Sequence, residues 1–535
     1  MCQRAVTWRA TTIDLEAAHA YPDPVRGCRI SVTFEHEGGA RVVREAYWDG
    51  GATYRVSFAP TADGIWRWEV EAPADSGLRG REGRLFSAAY EGELGVFRHG
   101  FLRVGAGGRH FEHADGTPFF WLGDTHWEFA WGERWDESSH PGMTSQFRGM
   151  VDRRVAQGFT VYQTNLRADL AGESRFWREL DGARGPVPNV EFFADELDRR
   201  MAYVADAGLV NALGIAWGFN LGRGLTTVDN MCELARYVVA RYGALPVVWT
   251  LAGEVAGYDD AARDELIAGW RVVALEIERR DGYGQLATAH YTNERPFADY
   301  FFDEPWFDFA LNQAGHGDYV VAEGDYRAWL ARHAGKPLVE GEALYELCSS
   351  LEEMGPRKVD AAMVRRVAYM AIQCGCAGYT YGAQGIWDNA WEKGLPADPM
   401  ARMVAQVFNR FGVTWDEAID APGAEQMGHL RRLCEDVGWW RMRPYGSGGS
   451  ALLGRHRPLV TVAPDGREVV AYYASNVRKR LSVEGVEPGA WEARWFDPRE
   501  GRYGEPFSLE AVDGVLELPE RPDMEDWALV ARARG

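Results

Sequence analysis

Long hydrophobic runs are missing from this 535-residue chain. No stretch approaches the ~20 apolar residues of a membrane-spanning helix, so no membrane partner is expected. Basic residues are in deficit: 58 Lys and Arg face 79 Asp and Glu, a net charge of −21. Phosphate backbones are held by clustered Lys and Arg, so nucleic acid is excluded as a partner. Cysteine is sparse and scattered. Seven are present, an odd number, and only Cys374 and Cys376 lie close together. That pattern reads as buried free thiols rather than a disulfide framework or metal knuckle. The start, MCQRAVTWRA, has no apolar run behind a basic segment, so no signal peptide is expected and a reducing cytoplasm fits. There is no P-loop, no G-x-G-x-x-G after a first strand and no H-E-x-x-H, so no cofactor and no metal are expected.

Aromatic residues, by contrast, are plentiful: 22 Trp, 22 Tyr and 24 Phe. Flat apolar rings with polar edges suit sugars, which present C–H faces and hydroxyl rims. Large cores and β-sandwiches account for about half of them on ordinary packing grounds.

Residues 1–95 read as strands and turns. CRISVTFEH, TYRVSFAP and GIWRWEVEA are separated by HEGGA, WDGGA and TADG, which predicts an antiparallel β-sandwich. Residues 445–535 repeat that style, with a hairpin at Asp465-Gly466 and further strands in WEARWFDPREGRYG and DWALVARA. A second small β-sandwich is expected there, after a linker at 444–449.

The middle, 96–444, alternates short β runs with long amphipathic stretches. Strands are expected at Phe119–Leu122, Thr160–Gln163, Leu213–Trp217, Val247–Leu251, Leu286–His290, Phe309–Gln313, Pro337–Glu340 and Gly378–Tyr381. Helices are expected at Met143–Gln157, Phe192–Ala207, Asp229–Tyr242, Asp260–Arg280, Asp325–Ala334 and Val359–Cys374, several ending in left-handed caps at Gly158, Gly208, Gly243 and Gly335. No clear helix joins strands five and six. Eight such units predict an α/β fold, a (β/α)8 TIM barrel flanked by the two small antiparallel β-sandwich domains.

In that fold the site lies at the carboxyl ends of the strands. After strand one come Asp124, His126 and Trp127; after strand two, Asn165 and, further out, Asp169. Strand three leads to Trp217 and Asn220, strand four to Glu254, and strand five closes on His290 and Tyr291. Gln313 and His316 follow strand six, Glu342 follows strand seven, and Tyr381, Trp387 and Asp388 follow strand eight. Carboxylates, imidazoles, amides and indoles without Lys or Arg describe a site for a neutral, hydroxyl-rich ligand rather than a phosphate. An oligosaccharide is the expected partner; oligomeric state is silent.

Glu254 and Glu342 each follow a hydrophobic strand and a glycine, on strands nearly opposite across the barrel. Two carboxylates across a sugar are the standard means of breaking a glycosidic bond. Glu254 is expected as acid/base, with its pKa raised by burial and by Glu342, and Glu342 as nucleophile. Either Glu alone is more often a helix-cap partner or a surface ion pair; the matched settings raise the pair above that background. Glu340 and Glu346 are decoys nearby, and Glu340 could point into the barrel instead. Asp124 is as consistent with a structural hydrogen bond as with a sugar contact. The same holds for Trp127, Trp217 and Trp387 as packing or platforms. His126, His290 and His316 read as substrate hydrogen-bonders. Two competitors are a catalytically dead carbohydrate-binding barrel, which would have lost a carboxylate, and a metal-dependent hydrolase using Asp124, His126 and His290.

The segments GTPFFWLGDTHWE, VVWTLAGE, NQAGHGD, KPLVEGEALYE and GYTYGAQGIW resemble the apiosidase-like glycoside hydrolases. WDGGATYRVSFAPTADGIWRW is similar to the N-terminal sandwich that accompanies that barrel. FDPREGRYG with DWALVA is similar to its C-terminal collagen-binding-type β domain, a label that does not imply collagen binding. The resemblance implies retaining hydrolysis of a plant-polysaccharide side-chain sugar, and an exo-acting glycosidase on plant-type oligosaccharides is expected. It also places the acid/base on Glu254 and the nucleophile on Glu342.

Overall fold

A computed structural model describes residues 3–130, 132–166, 175–221, 227–259, 261–293, 297–316, 323–350, 357–396, 399–446, 457–475, 477 and 480–535. Asp169, Asp260 and the later part of the 444–449 linker lie outside the described residues.

The N-terminal part packs two sheets face to face. The first runs in the order Gln3–Val6, Glu82–Ala88, Gly64–Glu71, Ser31–His36, Arg41–Glu45; the second in the order Thr11–Glu16, Thr53–Phe58, Tyr47–Trp48. Alternate residues of each strand turn inward, so Phe34 of one sheet stacks on Phe58 of the other with centroids 3.8 Å apart. Arg44, fully buried, leaves this unit and donates to the carbonyls of Val239 (2.8 Å) and Ala240 (3.3 Å) at the end of the helix Val228–Tyr242. A cation there satisfies carbonyls that the helix cannot. Gly243 was expected as a left-handed cap, but its φ is −68°. It is glycine for another reason: a Cβ would stand 2.6 Å from the Val239 carbonyl and 2.9 Å from the Arg44 guanidinium that binds it. Gly158, Gly208 and Gly335 do take the left-handed conformation.

At the centre is a parallel sheet of seven strands, nearly closed. Its order is Val247–Gly253, Val210–Trp217, Val161–Asn165, Trp121–His126, Gly378–Tyr381, Leu338–Glu342, Ala310–Gln313. The segment 286–291 fills the gap between the two ends. It forms no continuous ladder, but meets its neighbours at parallel bridges, Trp249 to Ala287 and His290 to Leu311, through backbone hydrogen bonds such as Thr288 N–H to the Trp249 carbonyl (2.7 Å) and Tyr291 N–H to the Leu311 carbonyl (3.4 Å). The expected fifth strand is therefore reduced to bridge points, and among the described residues no helix follows it. The other helices are Gln146–Ala156, Asp198–Asp206 after a π turn at Phe193–Leu197, Val228–Tyr242, Arg263–Arg280, Glu323–Arg332 and Ala361–Gln373. Pro399–Phe408 and Pro422–Val437, unforeseen from the sequence, follow the last strand.

The first barrel strand begins later than expected. Phe119 belongs to a small sheet of Leu102–Val104, Phe111–His113 and Pro118–Phe119. This sheet plugs the barrel's amino end: Phe111 packs on Trp121 (5.6 Å) and Phe309 (5.0 Å). The C-terminal part is one continuous nine-stranded sheet rather than two packed sheets. It curls around Trp491, Leu516 and Leu529 until its far strands approach, and there the Tyr445 hydroxyl accepts the N–H of Glu484 at 2.8 Å. None of the six described cysteines is paired in a disulfide. No described helix is long and apolar enough to cross a membrane.

Candidate active site

Side chains of a barrel strand alternate between the ring interior and the helix layer. On Trp121–His126 the odd positions face in. The Trp121 indole donates to Thr380 Oγ1 (3.0 Å), and a Cβ on Gly123 would meet the same threonine. Thr125 and Trp127 continue that face. Asp124 and His126, expected beyond the strand as sugar binders, lie within it on the outward face. Asp124 receives Nε of Arg154 from the helix Gln146–Ala156 and sits 2.7 Å from His126 Nε2. His126 Nδ1 lies 2.8 Å from Glu133, and its ring stacks on Tyr162 at 3.9 Å. All are buried. Burial works against both charges, yet the pairing overrides it: Arg154 and His126 hold Asp124 low, and Glu133 and Asp124 hold His126 high. Tyr381 also faces outward. Its hydroxyl donates to Glu346 (2.6 Å), which in turn accepts the Gly423 N–H (2.9 Å) at the start of Pro422–Val437. Glu346 is thus a helix anchor.

Glu254 follows Val247–Gly253 in the left-handed region, φ +51°, as does Leu251 at +55°. Such a conformation in a non-glycine residue is strained and needs fixed surroundings. Gly253 beneath is obligatory, because a Cβ there would come within 2.1 Å of the Trp217 ring. On the strand carrying Glu342, the register slips at Gly341: Glu340 pairs with Asn312, but Glu342 pairs with Gln313. The slip turns the two glutamates to opposite sides. Glu340 goes outward to Tyr326 (2.8 Å) and Asn312 (3.0 Å); Glu342 goes inward.

Inside the mouth one amide joins the two carboxylates. Gln313 Nε2 lies 2.8 Å from Glu342 Oε1 and 3.2 Å from Glu254 Oε1. His316 Nε2 stands 3.0 Å from Glu342 Oε1, and His290 Nε2 stands 3.2 Å from Oε2. The Glu254 N–H points to His290 Nδ1 at 3.4 Å, an arrangement that leaves the His290 proton on Nε2, toward Glu342. Trp127 packs edge-on against both Trp217 (5.4 Å) and His290 (5.5 Å). On the other side Tyr345 lies 4.5 Å from His316 and 5.9 Å from Trp387. Asn165 donates to the Ala216 carbonyl at 3.1 Å, and Asn220 ends the half-buried turn Gly218–Asn220. Asp388 caps its own loop through Gly385 N–H, and burial lifts its pKa to about 7.

The pair is electrostatically split. Burial and then the charge of Glu342 raise Glu254, against hydrogen bonds from Tyr258 and Gln313. Burial works against the Glu342 charge too, but His290 and His316 overcome it and hold that carboxyl well below the usual range. One carboxyl is biased to keep a proton and the other to lose it. Asp124 and His126 belong to the outward network, while His290 belongs to the mouth. A metal site built on those three residues therefore has no convergence point.

Thr125, Gln163, Tyr258 and Tyr345 were not singled out from the sequence. Thr125 follows from strand parity once Trp127 is taken as inward; Gln163, on the neighbouring strand opposite Thr125, donates to the Gly341 carbonyl at 2.9 Å beneath Glu342. Tyr258 and Tyr345 lie on loops and carry no periodic signal.

The model of the apiosidase-like catalytic domain matches residues 105–441, a span that contains every mouth residue named above. The chain belongs to the apiosidase-like family. Residues 4–73 match a domain family of unknown function, DUF5060. Among solved structures, the apiosidase-like chain is similar to a candidate glycoside hydrolase from Bacteroides vulgatus, at 15% identity over 99% of both chains with a TM-score of 0.71. A glycoside hydrolase family 5 protein from the same organism aligns at 21% identity over 81% of this chain and 94% of its own, TM-score 0.64. Another glycoside hydrolase aligns at 22% over 81% and 97%, TM-score 0.63. These likenesses establish a shared glycoside-hydrolase-type fold. No curated protein matches the sequence.

Proposed function

We propose that this apiosidase-like chain is a retaining glycoside hydrolase that removes side-chain sugars from plant-type oligosaccharides, with Glu342 as nucleophile and Glu254 as acid/base. The observation that carries the reading is the shared Gln313 amide. Its two hydrogen-bond distances cap the separation of the Oε1 atoms at about 6 Å, which brings the carboxyls close and supports a retaining pair, whose carboxyl groups stand roughly 5–5.5 Å apart. The opposed pKa shifts support the same assignment of roles.

In the first step a Glu342 oxygen bonds the anomeric carbon while the bond to the leaving oxygen breaks. Glu254 gives that oxygen its proton, and a glycosyl ester forms. In the second, Glu254 takes a proton from water, the water oxygen bonds the anomeric carbon, and Glu342 leaves as carboxylate. His290 and His316 keep Glu342 ionised between turnovers. Trp217 and Trp387, both partly exposed, offer rings to sugar C–H faces, and the buried Trp127 and Tyr345 back them. The crowding of His316, Tyr345 and Trp387 beyond Glu342 supports an exo-acting site for a terminal sugar. We read the bridged segment 286–291 as the fifth strand of a (β/α)8 barrel spanning 96–444, between β domains at 1–95 and 445–535.

A panel of aryl glycosides and pectic oligosaccharides tests this. Glu342→Ala should lose about 10³-fold or more in kcat. NMR of the first-formed sugar should report the substrate's own anomer, and azide should restore turnover to Glu254→Ala with aryl substrates. An inverted product, or near-normal turnover in Glu342→Ala, ends the reading.

A further inference from the structure

We infer that Tyr258 forms the leaving-group side of the site: its hydroxyl fixes which oxygen of Glu254 carries the proton, and its exposed ring receives a leaving group with a flat apolar face. This rests on the glycosidase reading above.

The placement starts in the backbone. Glu254 and Gly257 are both left-handed (φ +51° and +61°), and Gly257 N–H closes a turn onto the Glu254 carbonyl at 2.8 Å. Val255 and Ala256 are buried within this turn, and Val255 N–H is tied to the His290 carbonyl at 3.1 Å. The chain is thereby folded back, so that the residue four positions after the acid/base returns its hydroxyl to Glu254 Oε1. The same oxygen accepts from Gln313 Nε2, which can only donate. With two donors gathered on Oε1, the proton of the neutral acid resides on Oε2.

The ring of Tyr258 behaves differently from its hydroxyl. The residue is 67% exposed, although its polar end is engaged. Other rings at the mouth, Trp127, His290 and Tyr345, are buried. Tyr258 therefore holds an oriented aromatic face in water beside the proton donor. A departing group that has just received the Glu254 proton lies against that face. The chemistry that fits is a flat apolar surface, found in an aryl group or in the C–H face of a second sugar ring.

Two measurements test the inference. Carbodiimide labelling with glycine ethyl ester modifies protonated carboxyls and, read by peptide mass spectrometry, gives the labelling midpoint of Glu254 without any substrate. The Tyr258 hydrogen bond favours the carboxylate form, so Y258F should move that midpoint to higher pH. An unchanged midpoint overturns the hydroxyl assignment. The second measurement compares aryl, disaccharide and methyl glycosides of one sugar. Y258A should raise KM for the aryl or the disaccharide substrate roughly fivefold more than for the methyl glycoside. Whichever of the two suffers more identifies the natural leaving group. Equal effects on all three overturn the platform. A shifted midpoint alongside a wild-type protein that hydrolyses no glycoside overturns the glycosidase reading, and the leaving-group assignment with it, while leaving the Tyr258–Glu254 contact established.

Discussion

Nε2 of His316 lies 3.0 Å from Oε1 of Glu342, close enough for the imidazole to govern the charge of the proposed nucleophile. That contact makes the pH profile a direct reporter of the site.

Under the proposed reaction the active form has Glu342 ionised and Glu254 protonated. The acidic limb of kcat/KM therefore follows Glu342 and the alkaline limb follows Glu254. His316→Ala removes a hydrogen-bonding partner that favours the carboxylate form of Glu342. The Glu342 pKa must rise, so the acidic limb should move to higher pH by about one unit or more. The alkaline limb should stay nearly in place. A kcat/KM profile carried from pH 9 down to the lowest pH at which the protein stays folded checks this, and an acidic limb that does not move would separate His316 from the nucleophile.

Gln313→Leu deletes the donor that Glu254 and Glu342 share. A hydrogen bond to a charged group is worth about 1.5–3 kcal/mol, so kcat should fall roughly 10- to 100-fold. Glu254 also loses a contact that lowers its pKa, so the alkaline limb should shift upward. Steady-state kinetics across pH reads both effects; a variant with wild-type kcat would remove Gln313 from the machinery.

Asp124→Asn should be a stability variant. The side chain is fully buried between Arg154 and His126, and breaking a buried ion pair costs about 3–5 kcal/mol. Urea unfolding should show that loss while KM of the folded protein stays as in wild type. A raised KM with unchanged stability would return Asp124 to the substrate.

Glu254 and Glu342, which the structure brings together at the mouth, stood out in the sequence because each follows an apolar β run and a glycine, and a Cβ at Gly253 or Gly341 would clash with Trp217 or Leu311. The expected helices lie within a few residues of those observed, since their amphipathic period and caps are local signals. Asp124 and His126 were misplaced because GTPFFWLGDTH contains two strands in tandem. Reading the first as the barrel strand put both residues in the mouth, whereas the true strand starts at Trp121 and turns them outward. Glu340 remained open because its direction depends on a register slip against Asn312 and Gln313, a long-range pairing that no local pattern encodes. Gly243 shows the same limit: the partner that demands glycine there, Arg44, comes from a different sheet about two hundred positions earlier.

The wall of the barrel is not uniform. The segment that brings His290 to Glu342 is held by isolated bridges and a few backbone hydrogen bonds, where its neighbours have continuous ladders. Local opening is cheapest where backbone pairing is thinnest. Warming will therefore slacken the seam beside the reacting centre before it melts the remaining staves. Under the proposed reaction, turnover should fall on heating before circular dichroism records the main unfolding of the barrel.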